Sequence, residues 1–220
     1  MDTNKEKINA SKAALEYIKD GMVVGLGSGT TVHEFIKLLA EKVKEGLHVI
    51  CVPTSYNSRM SAIQNGLLVT DTDAVDTIDI AVDGADKANG IALLKGGGGA
   101  LTREKIIDYN AKEFVVIIDE SKICKGVLEG KVNMEVLSFA APLVMKELKD
   151  YNPKLRVGTG KLGPVVSDNG NFILECDMRI ENPKEMEKYL KSIPGVIENG
   201  IFTKFSTIIV GTEEGYYRLV

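Results

Sequence analysis

Histidine and cysteine are scarce in this 220-residue chain, with two of the first and three of the second. Cys51, Cys124 and Cys176 are unclustered and odd in number. They fit neither a disulfide framework nor a zinc site and read as buried thiols in a reducing cytosol. His33 falls in a helical pattern and His48 at a strand start, where structural or surface roles are expected, so metal chemistry has thin support. No apolar run approaches the length of a membrane-spanning helix. The start, Met1-Asp2-Thr3-Asn4-Lys5-Glu6-Lys7, does not look like a signal peptide. Excess positive charge is missing too. The 27 Lys and Arg are outnumbered by 31 Asp and Glu, a net −4, which argues against nucleic acid or an anionic membrane as partner. What the chain does have is 44% hydrophobic residues, enough for one large domain or two small ones.

Short apolar runs alternate with helical patterns through the first half. Ile8 to Lys19 reads as helix, Met22 to Leu26 as strand, and Val32, Phe35, Ile36, Leu39 and Val43 mark one face of a helix. Strands are expected at His48–Val52, Leu67–Thr70, Ile78–Val82 and Phe114–Asp119, with a helix after Ser55. This alternation, with glycine loops at strand ends, predicts a doubly wound, Rossmann-like α/β sheet. From about Lys131 the order becomes β-α-β-β-α-β, that of a ferredoxin-like module. The expected architecture is an α/β catalytic domain of residues 1–130 plus 205–220 and a smaller α+β lid of residues 131–204.

One stretch organises the chemistry. Lys95-Gly96-Gly97-Gly98-Gly99 follows the apolar run Ile91 to Leu94, which reads as a buried strand, and precedes a helix expected from Ala100 to Lys112. A run of glycines is entropically unfavourable, so bare backbone there implies a ligand held against peptide N–H groups. Lys95 then stands before the loop and Glu104 about one helical turn beyond it. A cation and a carboxylate facing one ligand suit proton transfer from carbon.

Two further loops lie at strand ends. Gly25-Leu26-Gly27-Ser28-Gly29-Thr30-Thr31 lacks the third glycine of a dinucleotide fingerprint, position 30 being Thr, and no acid ends the next strand. No Walker pattern is present either. Its hydroxyls and the following helix N-terminus suit a phosphate monoester, although the loop alone reads equally as an ordinary tight turn. Asp83-Gly84-Ala85-Asp86 sets two carboxylates three residues apart after an apolar strand. Alone they read as helix caps or solvated loop charges, and Glu104, beside Arg103 and Lys105, as a solvated helix charge. With Lys95 nine residues on, a site for sugar hydroxyls and proton movement gains ground.

These three stretches, with Val52-Pro53-Thr54-Ser55, Asp119-Glu120-Ser121-Lys122 and Ile193 to Phe202, resemble the ribose-5-phosphate isomerases of the A type in the family's order over essentially the whole chain. Lys87 stands where the family usually has an acid, and residues 131–136 lack the prolines common before its Glu-Val pair. The resemblance implies interconversion of ribose 5-phosphate and ribulose 5-phosphate through an enediolate, without metal or organic cofactor. It implies Glu104 as general base, Lys95 as oxyanion stabiliser, and Asp83 and Asp86 for ring opening and hydroxyl protons. Substrate would be held by Gly29, Gly84, Ala85, Gly96, Gly97 and Gly98, and its phosphate by Ser28, Thr30, Thr31, Lys122 and Lys7. A cytoplasmic homodimer or homotetramer is expected. The competing reading is a non-catalytic sugar-phosphate sensor on a related fold, which would have no need for the Lys95/Glu104 pair. A nicotinamide-dependent oxidoreductase ranks third.

Overall fold

The computed structural model describes residues 3–160 and 162–220, so Met1 and Asp2 of the start discussed above lie outside it. In chain order the elements are α1 (Thr3–Leu15), β1 (Val23–Leu26), α2 (Thr30–Lys44), β2 (Ile50–Pro53), α3 (Tyr56–Gln64), β3 (Ile78–Asp83), β4 (Lys87–Ala88), β5 (Leu93–Leu94), α4 (Leu101–Asn110) and β6 (Ala111–Asp119). They continue with β7 (Leu128–Val136), α5 (Ala141–Glu147), β8 (Lys154–Leu155), β9 (Phe172–Ile180), α6 (Pro183–Ser192), β10 (Val196–Asn199), β11 (Ile201–Phe202), β12 (Thr207–Gly211) and β13 (Tyr216–Arg218). No described helix is long and apolar enough to cross a membrane.

Two units share the chain. The first comprises Met1–Ala85, Arg103–Ile123 and Lys204–Val220, and the second Asp86–Thr102 and Cys124–Thr203. The sequence pattern groups 86–102 and 124–130 with the first. In the structure β4, β5 and the start of β7 pair within the second unit.

The first unit is built on a six-stranded sheet of order β13-β12-β6-β3-β1-β2. Every neighbouring pair is parallel except the antiparallel β12–β13 edge. Strands buried on both faces read as unbroken apolar runs, as in the fully buried β12. Val24, Leu26, Ile80, Val82 and Ile117 pack with Ala10, Ala13 and Ala14 of α1 and with Val32, Phe35, Ile36 and Leu39 of α2. The spacing of the α2 residues is the helical stripe read from sequence. On the other face α4 lies close, because a Cβ added at Gly25 would stand 2.6 Å from Ile107 Cγ2 and 3.1 Å from Ala81 Cβ. Helices on both faces make this the doubly wound class. Leu67 to Thr70 is no strand, since only a Cys51–Val69 bridge forms there.

The second unit contains an antiparallel sheet of order β10-β7-β9-β8 with α5 and α6 as its two connections, the ferredoxin-like arrangement. Alternation along β7 sends Val132, Met134 and Val136 into a core with Leu174, Cys176, Val144 and Leu190. The intervening residues Lys131, Asn133 and Glu135 therefore face the opposite side. A separate three-stranded sheet, β11-β5-β4, is antiparallel. The run at Ile91 is thus a correction. Only Leu93 and Leu94 form strand, and Ile91 is 67% exposed.

Candidate active site

The first unit's sheet reverses its winding at β1. The chain leaves β1 for β2 on one side and returns to β3 on the other. Ligands in open α/β sheets bind beyond the carboxyl ends of strands at such a point. There Asp83, the last residue of β3, is fully buried. Its Oδ1 accepts the Ser28 N–H at 3.1 Å and the Gly84 N–H at 2.6 Å. Glycine at 27 is what lets the carboxylate lie flat on the β1 loop, because an added Cβ would fall 2.0 Å from Asp83 Cγ. Ser28 Oγ lies 2.9 Å from Thr54 Oγ1 and 2.7 Å from Ser55 Oγ. Ser55 in turn caps α3 through a reciprocal bond with Ser58. A hydroxyl cluster is thereby anchored beside the loop.

Gly29 precedes α2 at φ 108°, a left-handed value that favours glycine, and no side chain caps this helix. The first N–H groups of α2 carry partial positive charge and have no intrahelical acceptor, which suits an anion. Thr30 is exposed and Thr31 buried in this first turn. Lys122 ends a short 3-10 turn after β6 that Asp119 caps through the Ser121 N–H at 3.1 Å. Lys7 is half-buried on α1. Neither lysine hydrogen-bonds to the β1 loop among the described residues.

Glu104 is in the first turn of α4 and only 4% exposed. It stands three residues before Ile107, whose side chain packs toward Gly25 and Ala81. Residues three apart share a helix face, so Glu104 belongs to the sheet-facing side rather than to solvent. A buried carboxylate is costly to ionise unless partnered, whereas the helix N-terminus favours the anion. Both influences act on the one residue expected to accept and return a proton.

In the second unit Lys95 follows β5 and is 2% exposed. Its N–H donates to Gly200 O at 2.8 Å, and its carbonyl accepts Asn133 Nδ2 at 2.9 Å. Its Nζ lies 5.4 Å from the Phe202 ring centroid, within cation–π range. Asp86 Oδ2 accepts the Gly97 N–H at 2.7 Å. A Cβ at Gly97 would meet Asp86 Oδ1 at 2.6 Å, and one at Gly96, which adopts φ 95°, would meet Leu101 Cδ2 at 2.8 Å. Gly96 and Gly97 are glycine because neighbours stand where a side chain would begin.

Arg156 grips the same loop. Its Nη1 donates to Gly97 O at 3.0 Å, and its Nη2 to Gly96 O at 3.2 Å and to Asn133 Oδ1 at 2.7 Å. Its Nε donates to Glu175 Oε1 at 2.6 Å, and Lys131 Nζ reaches Glu175 Oε2 at 2.8 Å. Burial works against the Glu175 anion, but hydrogen bonds from Lys131 and Arg156 outweigh it and hold the carboxyl below its usual range.

The structure therefore brings Ser28, Asp83 and Gly84 together in the first unit, and Asp86 and Gly97 in the second. Lys95, in the second unit, and Glu104, in the first, are both buried. Sequence reasoning missed Asn133, Arg156 and Gly200. The available signal was period-2 alternation in β7, which marks Asn133 as facing away from the apolar core. Nothing comparable marks Arg156.

Comparison with known proteins identifies the family. A model of the family "Ribose 5-phosphate isomerase A (phosphoriboisomerase A)" matches residues 50–215. The chain is 51% identical over 214 residues to a ribose-5-phosphate isomerase A of Methanococcus aeolicus, covering 94% of this chain and 92% of that one. With its counterpart from Pyrococcus horikoshii it shares 46% identity over 100% of this chain and 99% of the other. A solved D-ribose-5-phosphate isomerase in complex with phospho-erythronic acid superposes with a TM-score of 0.95 at 46% identity, covering 100% of this chain and 99% of that one. The ribose 5-phosphate isomerase A of Methanocaldococcus jannaschii superposes equally well, TM-score 0.95 at 42% identity and 99% coverage of both chains. A match of that extent, to relatives bearing one activity and with glycine, aspartate, lysine and glutamate at the expected loops, places this chain in the ribose 5-phosphate isomerase A family.

Proposed function

We propose that this isomerase interconverts D-ribose 5-phosphate and D-ribulose 5-phosphate through an enediolate, with Glu104 as the base. In the open-chain aldose, Glu104 takes the proton from C2 as electrons shift onto the C1 carbonyl oxygen. Lys95 stabilises the charge that develops there. The protonated Glu104 then delivers its proton to C1, while the O2 hydroxyl proton passes to O1, leaving a carbonyl at C2. Asp83 and Asp86 open the ring and carry hydroxyl protons. Gly84, Ala85, Gly96, Gly97 and Gly98 line the sugar. Phosphate occupies the α2 N-terminus with Ser28, Gly29, Thr30 and Thr31, joined by Lys122 and Lys7. Binding that remote group fixes the orientation of the reacting carbons.

The observation that carries this reading is the burial of Glu104 on the sheet-facing side of α4. A general base must be shielded and held still, and a solvated helix charge is neither. Full burial of Asp83 at the switch point supports the same site. By resemblance the proposal extends to a homodimer or homotetramer in the cytoplasm, and to a reaction in the non-oxidative pentose phosphate pathway.

Glu104→Gln tests it. Loss of the base should lower kcat by about 10²–10⁴-fold, with substrate binding largely retained and solvent deuterium no longer entering C1 of the product. Turnover at the wild-type rate by that variant removes Glu104 from the chemistry.

A further inference from the structure

Arg156 is far from the glycine loop in sequence, yet its guanidinium spends three of its five N–H donors on Gly96, Gly97 and Asn133, and one more on Glu175. All five residues belong to the second unit, and the loop lies on the face of the ferredoxin-like sheet that α5 and α6 leave uncovered. The Gly96–Gly97 peptide is held from both ends, its carbonyl by Arg156 and its N–H by Asp86. The next peptide is held from one end only. Gly97 O accepts Arg156 Nη1, and no peptide here is cis, so the Gly98 N–H points away from Arg156. Among the described residues that N–H has no acceptor, and Gly98 is exposed with nothing within 4 Å of an added Cβ.

We infer that Arg156 is a positioning residue for the isomerisation, turning the Gly98 N–H outward as a donor to a substrate oxygen. The inference rests on the reading of the loop between Lys95 and Glu104 as catalytic. Arg156 touches no reacting atom. It acts by fixing the direction of a backbone dipole. The loop's own turn bond, from the Gly99 N–H to Gly96 O at 2.9 Å, is a single restraint on residues that sample many conformations, and Arg156 adds two more at Gly96 O and Gly97 O. A donor fixed before the charge develops stabilises a transition state more than a ground state. The expected signature is therefore a loss in kcat rather than in KM.

Steady-state kinetics on the full chain test this with Arg156→Met, Arg156→Lys and, in parallel, Glu104→Gln. Misplacing one donor by about 1 Å should lower kcat about 10²-fold in Arg156→Met, with KM little changed. Added guanidinium ion should restore part of that rate and none of the rate of Glu104→Gln. Lysine keeps a charge but cannot span two carbonyls and Asn133 together, so Arg156→Lys should also be slow, and it carries the test should the methionine variant not fold. Wild-type kcat in the folded variant overturns the inference. So does a rate loss that merely follows the fraction of folded protein, with kcat per folded molecule unchanged, or a slow Arg156→Met that guanidinium leaves slow. A normal rate in Glu104→Gln would instead strike at the catalytic reading itself, whatever Arg156 does.

Discussion

Replacing Gly27 by alanine puts a single methyl group where the structure has no room for it. The added Cβ would stand 2.0 Å from Asp83 Cγ and 2.0 Å from its Oδ1. Ordinary contact begins near 3.4 Å, so the carboxylate must retreat by about 1.4 Å, the difference between the two (cf. the volume sensitivity of packed interiors). Asp83 is fully buried, and a retreat of that size would loosen its bonds from Ser28 and Gly84. Overpacking of this kind costs about 1–3 kcal/mol, which for a chain of this size is a fall in Tm of about 2–12 °C. A misplacement of about 1 Å in a reacting constellation also lowers kcat/KM about 10²-fold. Gly84→Ala is the comparison, since its Cβ would meet Ile117 O at 3.7 Å, an ordinary contact, and it should melt close to wild type. Thermal melts and initial rates on the purified variants check both. A Gly27→Ala protein as stable and as active as the parent would refute the close approach of Asp83 to the β1 loop.

Two other expectations concern titration. Burial pushes the Cys51 thiol up to about 12, and burial aided by Asp177 does the same for Cys176, so a disulfide-forming thiol reagent at pH 8 should modify only Cys124 in the native protein and all three in denaturant; native modification at either of the others contradicts their burial. The Glu175 carboxyl is depressed from its ordinary 4.5, so the stability it contributes is present above about pH 4.5 and drains away as the pH falls through the lowered native value. The Tm gap between wild type and Glu175→Gln should therefore narrow on acidification, by a fraction of a kcal/mol given partial solvent screening, and a gap that stays constant down to pH 3 argues against the pairing with Lys131 and Arg156.

The doubly wound sheet was readable because β1, β3 and β6 announce themselves as apolar runs ending in glycine or aspartate, and the same strand ends carry Ser28 and Asp83. The ferredoxin-like order was readable because strand and helix patterns follow one another after Lys131 in the β-α-β-β-α-β sequence. The segment from Ile91 misled because four apolar residues promise a strand, while pairing with β4 and β11 supports only two. Glu104 could not be placed from composition. Arg103 and Lys105 flank it and read as solvent-facing, yet Lys105 is itself buried, as only packing reveals. Arg156 was invisible for a simpler reason. Its partners at Gly96 and Gly97 are about sixty residues away along the chain, and hydrogen bonds of that span leave no local pattern.

Neither unit is an uninterrupted length of polypeptide. The chain passes between them after Ala85, Thr102, Ile123 and Thr203, and β12, from the last segment, is hydrogen-bonded to β6 some ninety residues earlier. Such long-range pairing makes folding slow, because loop-closure entropy is lost before the contacts that offset it form. The main sheet also stays incomplete on the ribosome until its final strands have been synthesised. No single cut separates one module from the other, so recombination at one joint cannot exchange them, and the enzyme is inherited and assembled as one piece.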